Sequence, residues 1–301
     1  MTGVKTTKIK EITIISGKGG TGKTTLTAAF ATLAHPDAVL ADCDVDAADL
    51  HLILKPKILE RKEFHGLNVA AIDGGKCITC GNCVQACRFD AITESIEIVR
   101  EKCEGCGVCE LVCPENAISL VERVDGESYT SDTRFGPLSH ARLQAGGEAS
   151  GKLVAEVRST ARLLAKKYGK SMILSDGPPG IGCPVISTIS GTNLAVLVTE
   201  PTVSGISDLK RVLETTDHFN VPTGVVINKS DINPVRTREI HDFCGSHNIP
   251  IFGEIRYDNL ATEAMVAEKS IIEYSEDTMS KNIARIWNKI LFAVGSQCND
   301  T

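Results

Sequence analysis

Gly17-Lys18-Gly19-Gly20-Thr21-Gly22-Lys23-Thr24 is the stretch that decides the fold. It follows an apolar run, KEITIIS (10–16), and precedes a segment of helical length, TLTAAFATLAH (25–35). A strand before and a helix after are the context that the pattern G-x-x-x-x-G-K-[ST] needs to bind phosphate. The glycines let backbone N–H groups curl around the phosphates, and the helix N-terminus adds a favourable dipole. Lys23 then reaches the outer phosphates and Thr24 offers its hydroxyl to Mg²⁺, with Thr25 closing the nucleotide-binding stretch. A purely structural glycine turn is the plain alternative, and it accounts for neither the flanking pattern nor the Lys-Thr pair.

Outward from the loop, a second apolar run, AVLADCD (38–44), completes a βαβ opening. The same alternation resumes after Lys170 with SMILSDG (171–177), NLAVLVTE (193–200), PTGVVINK (222–229) and IPIFGEI (249–255), separated by helical lengths such as 205–219 and 234–247. Short apolar strands alternating with helices imply an α/β fold, a mostly parallel sheet covered by helices on both faces. Residues 121–150 have strand-like and turn-like pieces to which the sequence assigns no definite structure.

An internal repeat interrupts this pattern. Cys77, Cys80, Cys83 and Cys87 recur 26 residues later as Cys103, Cys106, Cys109 and Cys113, each run followed by an Ala-Ile pair. The spacing C-x2-C-x2-C-x3-C, with Pro114 closing the second run, is the bacterial ferredoxin pattern for 4Fe-4S centres, in which the fourth cysteine ligates the other cluster. The expected sets are therefore Cys77, Cys80, Cys83 and Cys113 for one cluster, and Cys103, Cys106, Cys109 and Cys87 for the second. Arg88 stands where the first run would carry its proline. Zinc sites or disulfides are the alternatives; zinc ribbons want paired knuckles on a longer spacer. The expected organisation is a discontinuous P-loop α/β domain, 1–73 and 121–301, with an α+β ferredoxin-like module, 74–120, inserted in a loop.

The chain has 301 residues, 42% hydrophobic and 23% charged, and twelve cysteines, many for a reducing compartment unless they bind metal. No apolar run approaches the roughly 18 residues of a spanning helix, and the N-terminus lacks the pattern of a secretory signal, so a cytoplasmic protein without an integral membrane segment is expected. The net charge is −6, and residues 73–120 hold eight acidic against four basic side chains, which invites no nucleic acid.

Lys18, directly after the first glycine, makes the loop resemble the deviant Walker A of the MinD, ParA, Mrp and nitrogenase iron protein superfamily. The whole chain is similar to members of that superfamily with an inserted ferredoxin domain, through SGKLV (150–154), GPPGIGCPV (177–185), VTEPTVSG (198–205) and VINK (226–229). The resemblance implies a homodimer with nucleotide sandwiched between subunits and Lys18 acting in trans. Asp42-Cys43-Asp44 resembles switch I, with Asp44 orienting the attacking water and Asp42 near Mg²⁺, roles that relatives exchange. Asp176 corresponds to the Walker B acid of switch II, where Gly180 would offer its N–H to the γ-phosphate. Asn228 corresponds to an adenine contact, which argues for ATP, although Asn228-Lys229-Ser230-Asp231 also spells the NKxD by which GTPases read guanine through the Asp.

Cys183, seven residues after Asp176, takes the spacing of a ligand to the iron protein's subunit-bridging cluster, an additional metal ligand at the dimer interface. No cysteine in 121–175 completes that site, so a buried structural Cys183 is expected; Cys43, Cys244 and Cys298 read as packing or surface residues. The functions that follow are an ATPase coupling a dimer switch to electron transfer with an unknown redox partner, an Mrp-like carrier handing a cluster to an apo-protein, or a MinD/ParA-like positioning switch. For the last, Ile283, Ile286, Trp287, Ile290 and Leu291 form an apolar face beside Lys281, Arg285 and Lys289 that suits either a membrane surface or packing on the sheet.

Overall fold

The computed structural model describes residues 9–144 and 150–296. The first apolar run is β1 (Lys10–Ser16), followed by α1 (Lys23–Ala34), β2 (Ala38–Asp42), a short α2 (Leu50–Leu54) and β3 (Lys57–Ile72). The cysteine-rich stretch carries α3 (Asn82–Ala86) and α4 (Val108–Leu111) and leads into β4 (Ile118–Thr133) and β5 (Gly136–Leu143). Alternation then returns with α5 (Ser150–Lys167), β6 (Met172–Pro179), α6 (Cys183–Ile189), β7 (Leu194–Thr199), α7 (Val203–His218), β8 (Thr223–Asn228), α8 (Pro234–Ser246) and β9 (Ile251–Ile255). Helices α9 (Leu260–Val266), α10 (Ile271–Tyr274) and α11 (Thr278–Ser296) complete the described chain.

One sheet of nine strands runs β3-β4-β5-β2-β6-β1-β7-β8-β9. From β5 to β9 every pairing is parallel, while β3, β4 and β5 pair antiparallel. The sheet is therefore mixed: 121–150, which the sequence left open, supplies much of an antiparallel edge. Strand side chains alternate between two buried faces, as in β1, where Ile12 and Ile14 join the core under α1 and α11 and Ile15 joins the core under α6, α7 and α8. A third core packs α5 on β2, β5 and β6.

The apolar face of α11 is part of that structure. Ile283, Ile286, Trp287 and Ile290 are all buried, and Trp287 stacks on Phe30 at 5.1 Å between centroids; Leu291 alone of the predicted face stays 36% exposed. Each such side chain contributes about 1.5–3 kcal/mol by burial, so peeling the four toward a membrane would forfeit on the order of 6 kcal/mol or more. Among the described residues no helix is long and apolar enough to cross a membrane.

The cysteine-rich segment lies between β3 and β4 at the end of their hairpin, where Ile72 and Ile118 are register partners. It has its own small apolar cluster, built on Ala70, Cys83, Ile92 and Ile118 with Ile72, Ile96, Ile98 and Leu120 packed around them.

Candidate functional site

Two glycines shape the loop between β1 and α1. A Cβ on Gly17 would stand 2.3 Å from Asp208 Cβ of α7, and one on Gly22, at φ +91°, would meet the Asn228 amide nitrogen at 2.4 Å. Helix α1 has no side-chain cap and no acidic residue of its own in its first turn, so negative charge at its positive end must come from elsewhere.

Neighbouring strands bring carboxylates to that helix end, since Asp42 of β2 and Asp176 of β6 are register partners. Asp176 is the hub: Oδ1 accepts from Lys23 Nζ at 3.2 Å and Thr27 Oγ1 at 2.8 Å, and Oδ2 from Thr24 Oγ1 at 2.8 Å. Lys23 also pairs with Asp44 Oδ2 at 3.4 Å. Asp42 Oδ1 accepts the Asp44 N–H at 3.2 Å, whereas its Oδ2 is buried without a partner among the described residues, as are Thr21 Oγ1 and Ser175 Oγ.

Three acids thus surround one ammonium. Burial first, then the charge of Asp176, lifts Asp42 well above the usual carboxylate range, and burial lifts Asp44 despite the opposing pull of Lys23. Burial works against the charge on Lys23, but Asp176, Asp44 and Asp42 outweigh it and raise its pKa. A buried, unpartnered carboxylate oxygen beside two further acids is short of positive charge, and an oxygen donor set of this kind suits a hard divalent cation.

The remaining predicted residues are distributed around this centre. Lys18 points back within its own chain, its Nζ 2.6 Å from Glu200 Oε1. The Gly180 N–H donates to Ser16 O at 2.9 Å, so a phosphate would have to displace that bond. Beside the loop lies a cavity of about 170 Å³ lined by Gly20, Gly22, Thr25, Asn228, Tyr257 and Met265 among others. Asn228 borders it while donating from Nδ2 to Thr21 O at 2.7 Å, a brace under the phosphate loop. Asp231 lies outside its lining: it is exposed, accepts the Tyr257 N–H at 2.7 Å and pairs with Arg256. The sequence reading missed Thr27 and Glu200, whose roles rest on contacts across roughly half the chain or more. A larger groove of about 550 Å³, lined by Lys210, Phe243 and His247, lies at the opposite ends of the strands.

The eight clustered cysteines line two small cavities. One is bounded by Cys77, Cys80, Cys83 and Cys113, the other by Cys87, Cys103, Cys106 and Cys109. The repeat is also one of conformation. Gly81 and Gly107 precede α3 and α4 at φ +79° and +76°, Thr79 and Gly105 are left-handed at +54° and +62°, and Asp90 and Asn116 both at +49°. Ala91 N–H donates to Cys87 Sγ at 3.4 Å and Ala117 N–H to Cys113 Sγ at 3.2 Å, the same i+4 contact twice; Ala70 N–H adds one to Cys103 Sγ at 3.4 Å. Among the described residues no three His, Cys, Asp or Glu side chains are grouped to hold a single metal ion.

Cys183 corrects the expectation of a buried residue: it is exposed, at the first position of α6, because the turn after Gly180 carries it off the sheet. Cys43 and Cys244 are buried, and burial pushes the Cys244 thiol up to about 11. Cys298 lies outside the described residues.

Across residues 12–271 the chain matches the family described as CbiA, the CobQ/CobB/MinD/ParA nucleotide binding domain. It is 35% identical over 284 residues to the uncharacterized protein MJ0578 of Methanocaldococcus jannaschii, covering 94% of this chain and 96% of that one. Among solved structures it is similar to the cell division ATPase MinD of Pyrococcus furiosus, at a TM-score of 0.58 and 20% identity over 94% of this chain and 98% of the other. The septum site-determining protein MinD of Pyrococcus horikoshii, complexed with Mg-ADP, gives a TM-score of 0.57 at 19% identity over 94% and 96%. At such identities the likeness is one of fold.

Proposed function

Since the chain belongs to the CobQ/CobB/MinD/ParA nucleotide binding domain family, we propose that it is a Mg²⁺-dependent ATPase acting as a nucleotide switch. One observation carries this reading: Lys23, Thr24, Asp42, Asp44 and Asp176 converge at the N-terminus of α1 in one connected hydrogen-bonded network. In it the loop N–H groups and Lys23 hold the phosphates, Lys23 exchanging its carboxylate partners for phosphate oxygens. Thr24, Asp42 and Asp176 would hold Mg²⁺, which supplies charge neutralisation at the phosphate oxygens. Asp44, at the edge of this group and still within reach of Lys23, orients the attacking water. The cavity beside Asn228 takes the base, and Asp231, tied to Tyr257 and Arg256, is not offered to a guanine. Nucleotide would close two subunits face to face with Lys18 reaching across, so that the ATP and ADP forms differ in what they bind, as in a positioning switch.

The test measures binding and assembly together. Mg-ATP should bind in preference to Mg-GTP and convert monomer to dimer, and Asp44→Ala should keep the dimer while hydrolysis falls by about 10²-fold or more. Preference for GTP, or hydrolysis undiminished in Asp44→Ala, would remove the assignment.

A second reading concerns the cysteine-rich segment. It holds two 4Fe-4S clusters, which would supply one-electron chemistry when bound. Its support is the lining of the two cavities, three cysteines from one run and the fourth from the other, with backbone N–H groups already aimed at sulfur. Zinc–sulfur bonds of about 2.3 Å would bring thiolates to within about 3.8 Å of each other in a tetrahedral site, whereas the corner ligands of a cuboidal core stand wider. On this reading the switch moves or exposes an electron-carrying module toward a redox partner, rather than handing a cluster to an apo-protein.

A further inference from the structure

Glu200 follows the last residue of β7 and lies between two lysines. Its Oε1 is 2.6 Å from Lys18 Nζ and its Oε2 2.9 Å from Lys229 Nζ, and its side chain is only 12% exposed. Lys18 Nζ also donates to Thr202 Oγ1 at 3.2 Å and Ser204 Oγ at 3.0 Å, so all three of its donors have partners within the subunit. Lys229, the other arm, donates to Gly20 O at 3.1 Å. One carboxylate therefore joins the phosphate loop, the turn into α7 and the end of β8. Both lysines hold Glu200 ionised, overcoming the burial that opposes its charge.

An ammonium with three partners at home cannot serve another subunit without leaving them. We propose that Glu200 is an intrasubunit latch on Lys18, whose release is part of the cost of forming the nucleotide-bound dimer. The proposal rests on the reading of Lys18 as a residue that acts across a dimer. The hydroxyls of Thr202 and Ser204 position the lysine in either case; the carboxylate supplies the charge that makes leaving costly. Glu200→Gln keeps size and hydrogen-bonding capacity and removes that charge, so it weakens the latch without opening a cavity. A partly exposed ion pair of this kind is worth about threefold in an equilibrium. Each dimer releases two latches, so the factor enters squared, about tenfold.

Sedimentation of the full chain with Mg²⁺ and a hydrolysis-resistant ATP analogue, over a range of protein concentrations, reads the effect. Four proteins are compared: wild type, Glu200→Gln, Lys18→Ala and the double variant. The expected result is a dimerisation midpoint about tenfold lower for Glu200→Gln, a raised midpoint for Lys18→Ala, and no change when Glu200→Gln is added to Lys18→Ala. If Glu200→Gln leaves the midpoint in place, raises it, or lowers it equally in the Lys18→Ala background, the latch is wrong while the dimer reading stands. If wild type stays monomeric, or Lys18→Ala dimerises as wild type does, the reading of Lys18 itself fails and the latch with it. Binding of a fluorescent ATP analogue to monomer, unchanged in Glu200→Gln, shows that the site is intact; a monomer affinity that moves by the same factor as the midpoint overturns the proposal.

Discussion

Replacing Cys113 by alanine separates the crossed arrangement from every simpler one. Cys113 belongs to the second run in sequence but shares its cavity with Cys77, Cys80 and Cys83, and Ala117 N–H reaches its sulfur at 3.2 Å. A chain with two intact 4Fe-4S clusters carries about eight irons, and losing one ligand set should leave about four, with the visible absorbance roughly halved. The cluster that survives is the informative quantity. In Cys113→Ala it should be the one bounded by Cys87, Cys103, Cys106 and Cys109, so its EPR spectrum after reduction should match that of Cys80→Ala. Cys87→Ala should match Cys106→Ala instead. The two survivors are distinguishable in principle, because beyond the matched contacts of Ala91 and Ala117 the second cavity also has the Ala70 N–H donating to Cys103 Sγ. Hydrogen bonds to sulfur favour the reduced, more negative state, so the cluster that remains in Cys113→Ala should have the higher midpoint potential. Anaerobic iron and sulfide analysis, EPR and redox titration on the four variants settle it. If Cys113→Ala matches Cys106→Ala, the crossed pairing is refuted; if the protein binds stoichiometric zinc with little sulfide, so is the cluster reading.

Two further outcomes follow from buried titratable groups. Asp42 is held above the normal carboxylate range, so cation binding should release protons: calorimetric Mg²⁺ titrations in buffers of different ionisation enthalpy should differ, more so the lower the pH and little in Asp42→Asn, and buffer-independent heats would contradict the site. His140, buried on β5 and pushed from its ordinary 6.5 to about 4 by burial and then His51, takes a proton less readily folded than unfolded. Stability is therefore lost as pH falls from about 6.5 to about 4, by about 3 kcal/mol at 1.36 kcal/mol per pH unit; urea unfolding of His140→Gln should lack that slope, and equal slopes would refute it.

The parts legible in the sequence are those whose constraints are local. The phosphate loop needs glycine at fixed places, and a central parallel strand such as Leu194–Thr199, buried at every position, reads as an unbroken apolar run. The cysteine spacing carries a pairing rule for clusters; what the fold shows is two cavities that group the same cysteines, and the clusters belong to the proposal. The hairpin escaped because its first half, Lys57–Glu63, is an exposed edge with charge on both faces, which gives no apolar period to read. The neighbours of Asn228 and Asp231 were equally hidden, since Thr21 and Tyr257 meet them only through the folded sheet. For Cys183 spacing alone gave no information on exposure.

The hairpin has a mechanical consequence. Strand β4 is supported by β5 only from Gly126 onward, and the register of β3 shifts near Phe64, His65 and Asn68, so that Asn68–Ile72 with Ile118–Glu122 projects as a two-stranded ribbon. Bulges of this kind are where a ribbon bends most readily. Five residues at about 3.4 Å each make a boom of about 17 Å, and a tilt of about 10° at its root would swing the tip by about 3 Å. The cysteine cavities thus ride on a jib whose pivot lies on the edge of the sheet, where a small strain at the strand ends would become a displacement at the far end.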